Sequence, residues 1–267
     1  GEDIKSAMLK DEQLLEKRLI ELSRTACYRN VITYSDFLNL NELNILHSLP
    51  KDKLYTAYVT FGGYDSAERQ MAAFLPDALS FSRTGKIDSA DLGFPFVAVG
   101  IVPLHEKFAQ ALTHRDYLGA ILNLGIERSK LGDILIEGEK AVVFIDDGLS
   151  SFLQEELRRV SHTSVKLSRI NLRDYGYSPR FEEIKGTVAS VRLDSLLSLA
   201  FSSSRTKLSG LIEGGKVFIN GKLMTTNSCQ VREEDVISVR GMGKFRYKGI
   251  VSHTKKNRIF VLLHKYI

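Results

Sequence analysis

Residues 192–221 read RLDSLLSLAFSSSRTKLSGLIEGGKVFING, and this stretch decides the fold of the last third of the chain. Strand-like residues 187–191 lead into a predicted helix from Arg192 to about Phe201. Ser202-Ser203-Ser204 interrupts it and caps a second helix, Arg205 to Glu213, which Gly214-Gly215 ends. Lys216 to Ile219 reads as a strand, and Asn220-Gly221 is the strongest short hairpin signal available. Val236 to Arg240 is a further strand. After Gly241-Met242-Gly243 comes a basic one, Lys244 to Lys248, and residues 258–263 pair at the end.

Charge singles out the same region. The net charge of the 267 residues is +5, but residues 186–267 hold 14 Lys and Arg against 5 Asp and Glu, whereas residues 1–185 hold 23 against 27. A segregated basic module is the electrostatic footprint of a polyanion binder. The rest of the composition, 43% hydrophobic and 26% charged, is that of a globular protein. No run approaches the roughly 20 apolar residues of a membrane span, so no membrane insertion is expected. The N-terminal Gly-Glu-Asp-Ile-Lys lacks the layout of a secretion signal. Cys27 and Cys229 stand far apart, which suggests a reducing cytoplasm, without disulfides or zinc. The six histidines show no metal-ligand spacing. No cofactor and no metal are expected.

Upstream, the order of elements is legible. Phe94 to Val102 is an apolar strand, and Thr113-His114-Arg115-Asp116 opens a helix that Gly125 ends. Ile134 to Glu137 and Ala141 to Ile145 are strands. A helix carrying Leu149, Phe152, Leu153, Leu157 and Val160 follows, then a strand from Val165 to Leu172. This order is a βαββαβ plait, ferredoxin-like and similar to RNA-recognition domains. Its third strand offers only Phe144 as an aromatic. The first part reads as mostly helical. It has a helix from Asp11 to about Tyr28, a second capped by Ser35-Asp36, a strand from Leu54 to Phe61, and a short helix from Ser66 to Leu75. The fold class is α+β, in three parts: residues 1–78 helical, 79–184 the plait with an unassigned ligand, and 185–267 the basic domain, with a natural break at Ser178-Pro179.

In the basic domain, Arg192 and Arg205 open successive helices, so both can face one surface. The second helix start offers backbone N–H groups to phosphate. Ser204 and Thr206 can donate hydroxyls, and Lys207 adds charge. Lys216, Arg240, Lys244 and Arg246 extend the contact across the sheet. Arginine supplies a bidentate phosphate fork where lysine supplies a point charge. Few aromatics lie on the helical side, so readout of RNA shape and phosphates is expected rather than base stacking. Other residues have structural readings. Asp194 is expected to pair with a helix-start N–H or an arginine, Asn220 and Gly221 to serve the hairpin, and Asp146-Asp147 to cap a helix. Arg232, Lys255 and Lys256 read equally well as solvated charges.

The ordered landmarks Arg192-Leu193-Asp194, Ser204-Arg205-Thr206, Leu211-Ile212, Gly215 to Gly221 and Ile237 to Gly241 resemble the small RNA-binding domain named after ribosomal small-subunit protein four, the S-four domain. Glu234-Asp235 stands where that family usually has Gly-Asp. Phe61-Gly62-Gly63-Tyr64, Ala67-Glu68-Arg69, Thr113 to Ala120, Leu124-Gly125-Ile126 and Gly132-Asp133-Ile134 look like the YlmH family of bacterial proteins, and that resemblance runs nearly the whole length. It implies a ribosome-associated cytoplasmic RNA-binding protein linked to quality control of stalled large subunits carrying peptidyl-tRNA, and to division-gene neighbourhoods. The partners so implied are ribosomal RNA, the large ribosomal subunit and tRNA, met by a monomer.

Enzymatic readings are weaker. His114-Arg115-Asp116 lacks the companions of a kinase loop. Arg192-Leu193-Asp194 lacks the large following domain of a pseudouridine synthase. Gly241-Met242-Gly243 does not follow the first strand of a nucleotide-binding sheet. The expectation is a non-catalytic RNA-binding protein. The alternatives are an RNA-modifying enzyme using the basic domain for substrate, and a division-associated scaffold.

Overall fold

The computed structural model describes residues 2–77, 89–171 and 179–267. It divides into two units, Gly1–Tyr177 and Ser178–Ile267. The expected boundary at 78–79, Ser178 of the expected break, and Leu172 at the end of the last plait strand lie outside the described residues.

In the first unit the leading helix α1 runs from Glu2 to Arg29, longer than its leucine spacing marked. The second helix, α2 (Leu40–Ser48), is capped by Asn39, not by Ser35-Asp36. Asn39 and Glu42 form a reciprocal capping box, with Glu42 N–H donating to Asn39 Oδ1 at 2.9 Å and Asn39 N–H to Glu42 Oε1 at 3.0 Å. The Ser35 hydroxyl is already committed, since it accepts the Ala72 N–H at 2.9 Å. A three-stranded antiparallel sheet completes this region in the order β1-β3-β2, with β1 Thr33–Tyr34, β2 Ala57–Phe61 and β3 Met71–Leu75. Here the structure corrects the sequence reading, because the helix expected over 66–75 is strand β3. Met-Ala-Ala-Phe-Leu has no alternation to betray a strand because all five residues are buried, paired on both edges.

The plait follows: β4 Phe96–Pro103, α3 His114–Leu122, β5 Leu131–Glu137, β6 Lys140–Asp146, α4 Ser150–Glu156, β7 Arg159–Val160 and β8 Thr163–Ile170. The sheet order is β5-β6-β4-β8-β7, antiparallel throughout. The first plait strand is therefore central between the third and fourth, as a ferredoxin-like plait requires. The short β7 adds a hairpin at one edge. Thr113 and Asp116 form the capping box of α3. Helix α4 ends at Glu156, four residues before the apolar spacing suggested. Leu157 and Val160 are still buried, but Val160 reaches the same core from the β7–β8 hairpin. One sheet face packs Val99, Ile101, Val143 and Ile145 against Tyr117, Ile121 and Leu153. The opposite face, Ala98, Val142 and Phe144, packs against Phe37 and Met71 of the N-terminal region.

The second unit matches its expected helices and hairpin: β9 Phe181–Val188, α5 Leu193–Phe201, α6 Arg205–Glu213, β10 Val217–Ile219, β11 Lys222–Leu223, β12 Val236–Val239, β13 Gly243–His253 and β14 Ile259–Tyr266. Its first strand, expected over 187–191, instead runs from Phe181 to Val188, because those eight residues pair with β14. The sheet order is β11-β10-β12-β13-β14-β9. Asn220 and Gly221 form a two-residue loop with φ of 49° and 79°, between Ile219 and its cross-strand partner Lys222. Leu193, Leu196, Leu197, Leu208 and Ile212 of the helices are fully buried against Val217, Ile237, Phe245, Val261 and Leu263 of the sheet.

Candidate RNA interface

Arg192 is the N-cap of α5, and its guanidinium is held by Asp194, with Nε to Oδ1 at 3.2 Å and Nη2 to Oδ2 at 3.0 Å. Asp194 Oδ1 also accepts the Ser195 N–H at 2.8 Å, so it serves both partners expected of it. The helix start at α6 is more open. Ser204 is the N-cap, its hydroxyl accepting the Lys207 N–H at 3.3 Å, while Arg205, Thr206 and Lys207 are exposed. Lys216 and Arg240 are exposed and opposed across the ladder, the Arg240 N–H donating to the Lys216 carbonyl at 2.9 Å. The side chains of Arg205, Lys207, Lys216 and Arg240 form no ion pair among the described residues.

The sheet cations differ. Lys244 lies with Nζ 5.4 Å from the centre of the Tyr266 ring. Arg246 donates to the Tyr266 hydroxyl at 3.1 Å and to the Glu234 carbonyl at 3.0 Å, and pairs with the Glu234 carboxylate at 3.4 Å. Lys248, on the same face two residues on, pairs with Glu234 at 2.7 Å. The Lys248 hydrogen bond holds the Glu234 carboxyl below its usual pKa, with the charges of Lys248 and Arg246 adding to it. Glu234 therefore holds two cations of β13. It adopts φ +72° and neutralises part of the basic strand.

Sequence reasoning missed Lys248, although its alternation with Lys244 and Arg246 was visible. It also missed a stacked pair, Phe181 on His264, with ring centres 4.0 Å apart and planes 11° apart. That pair depends on the β9–β14 register, which no local signal reveals.

In the first unit several of the matched residues outside the basic domain hold structure. Asp133 accepts from the Tyr64 hydroxyl at 2.6 Å, Glu68 N–H at 2.8 Å and Arg69 N–H at 3.0 Å. Buried Arg69 donates to the carbonyls of Leu131 at 2.8 Å and Arg128 at 2.9 Å. Burial lowers the pKa of Arg69. Burial first, then the Arg69 charge, brings Arg128 down to about 10. Gly63, at φ +98°, lies against the Phe144 ring, where a Cβ would come within 2.2 Å. A cavity of about 780 Å³ lies beside it, lined by Phe61, Phe94 and Phe96 with Arg169 and Asn171.

Comparison with known proteins finds a match within each unit. Residues 97–174 match the family described as an RNA-binding domain in YlmH, and residues 191–237 match the S4 domain. The two matches follow one another along the chain, the first on the plait and the second on the basic unit. The S4 match covers α5, α6 and the β10–β11 hairpin, the elements that present Arg192, Arg205, Lys207 and Lys216. Ribosome-associated protein quality control protein P2 of Bacillus subtilis (strain 168) is 28% identical over 257 residues, spanning 96% of both chains. The solved structure of cell division protein ylmH from Streptococcus pneumoniae is 23% identical, with a TM-score of 0.45 over 63% of this chain and 92% of that one. Among the described residues, no helix is long and apolar enough to cross a membrane.

Proposed function

We propose that this RNA-binding protein acts without catalysis as a cytoplasmic, monomeric ribosome-associated factor. In this reading the S4 domain grips ribosomal RNA of the large subunit, and the first unit meets tRNA in stalled peptidyl-tRNA complexes. The name and full-length similarity of the Bacillus relative support the ribosomal setting. The observation that carries the mode of binding is the set of four exposed, unpaired cations at the α6 start and the adjoining ladder: Arg205, Lys207, Lys216 and Arg240. Cations already neutralised by the protein gain less from phosphate, so Arg192, with its Asp194 partner, contributes less than Arg205, and Ser204 and Thr206 add hydroxyl contacts to the same turn. Lys244 and Arg246 extend the surface along β13. Arg205→Ala should weaken binding of ribosomal RNA by about 1–3 kcal/mol and reduce the salt slope by about one. Cosedimentation with large subunits that is unchanged in this variant at moderate salt would overturn the proposal.

A further inference from the structure

The match over residues 97–174 names an RNA-binding domain without saying which face of the plait meets RNA. Plaits of the RNA-recognition kind stack bases on the open sheet face. Here the middle of that face is closed. Phe144 and Val142 are each 2% exposed beneath the N-terminal region, and Tyr64 stacks on Phe144. The opposite, helical side has a groove of about 650 Å³ between α3 and the segment joining α4 to the β7–β8 hairpin.

Three arginines border this groove, Arg115 from α3 and Arg158 and Arg159 from the far wall, and all three are exposed. Their side chains form no ion pair or hydrogen bond among the described residues. In the same unit, buried Arg69 holds two backbone carbonyls instead. Two carboxylates also line the groove, Asp116 and Glu156. Asp116 is committed to the N–H and hydroxyl of Thr113 in the α3 capping box, at 2.8 and 3.0 Å, and these bonds hold its pKa down.

The floor gives the second observation. Gly119 lies within α3, and a Cβ placed there would meet nothing within 4 Å. No positive φ requires glycine at this position, and no neighbour does either. Glycine inside a helix is unfavourable relative to alanine, so packing gives no reason for its presence.

We propose that this groove is a second RNA site, in which Arg115, Arg158 and Arg159 hold the phosphates of a strand lying against Gly119. Arginine forks match phosphate geometry and work without stacking. The inference rests on the chain being an RNA-binding protein, and its residues belong to the first unit, whereas those of the S4 cradle belong to the second.

The test uses the full chain, purified large-subunit ribosomal RNA as probe, and titrations over a range of salt. The variants are R158A/R159A, G119L and R205A, with R158A/R159A also combined with R205A. Thermal unfolding checks that each is folded. R158A/R159A should bind about tenfold more weakly, with the slope of log affinity against log salt reduced by about two. The same loss should recur in the R205A background. G119L should weaken binding while leaving the unfolding temperature at or above that of the parent. If R158A/R159A and G119L bind as the parent does while R205A is weakened, the groove proposal is overturned and the S4 reading stands. If only the groove variants are weakened, the S4 cradle fails and the groove stands. Undiminished RNA binding by R158A/R159A with lost binding to polyglutamate would reassign the groove to an acidic protein and overturn it for RNA.

Discussion

Tyr64 stacks on Phe144, with ring centres 5.7 Å apart and planes 19° apart, and so seals the centre of the plait's sheet. The lone aromatic of the third plait strand is thus a packing residue. Phe144→Ala should destabilise the first unit by about 3–5 kcal/mol, as large-to-small changes in cores do. Urea unfolding followed by tyrosine fluorescence measures it. The folded fraction should bind RNA as tightly as the parent. A change in affinity without a change in stability would make Phe144 a ligand instead.

Asp133 gathers three donors from one loop, the Tyr64 hydroxyl and the N–H groups of Glu68 and Arg69. Removing the carboxylate leaves them without their acceptor and removes the charge facing Arg69, which opposes the burial effect there. Asp133→Ala should cost about 3 kcal/mol. Asp133→Asn should cost less, since it keeps one acceptor oxygen. Equal unfolding midpoints for the two variants would contradict this account.

Local signals carried most of the second unit. The Asn220-Gly221 turn, the Ser204 cap and the Gly214-Gly215 stop each act within a few residues, and each stands where it was expected. Long-range packing hid the rest. Met71–Leu75 is a strand because β1 and β2 flank it, although its residues suit a helix equally well. Val160 fitted the helical spacing of α4 but reaches the core from a hairpin. The candidate interface was legible by residue type but not by pairing. Nothing in the sequence distinguishes the exposed, unpaired Arg205 from Arg246, which Glu234 and Tyr266 hold.

His264 lies on β14 with Phe181 stacked on it, Glu183 3.8 Å away, and the charges of Lys248, Arg246 and Glu234 nearby. Burial first, then Lys248, lowers its pKa below the ordinary 6.5, while Glu183 and Glu234 oppose the shift. A lowered folded-state pKa means that the unfolded chain takes up the proton first on acidification. The second unit should therefore lose stability as pH falls below about 6.5 and reach a plateau below the folded-state pKa. Thermal melts between pH 7.5 and 5.5 should show a shallower decline for His264→Gln than for the parent. Parallel curves would rule this contribution out.

Glu234 combines two opposed effects. Its φ of +72° is unfavourable for a side chain, by roughly 1–2 kcal/mol relative to glycine. Its carboxylate, with a side chain 56% exposed, pairs with Arg246 and Lys248. Ion pairs at such a surface contribute about 0–1 kcal/mol. Backbone relief should therefore outweigh the lost pairs, and Glu234→Gly should raise the unfolding temperature slightly. It should also release positive charge along β13, tightening ribosomal RNA binding and steepening its salt dependence. Glu234→Gln loses the charge but keeps the strained backbone, so it should tighten binding without the gain in stability. If both variants bind RNA as the parent does, β13 lies outside the RNA contact, and the interface is confined to the α6 start and the Lys216–Arg240 ladder.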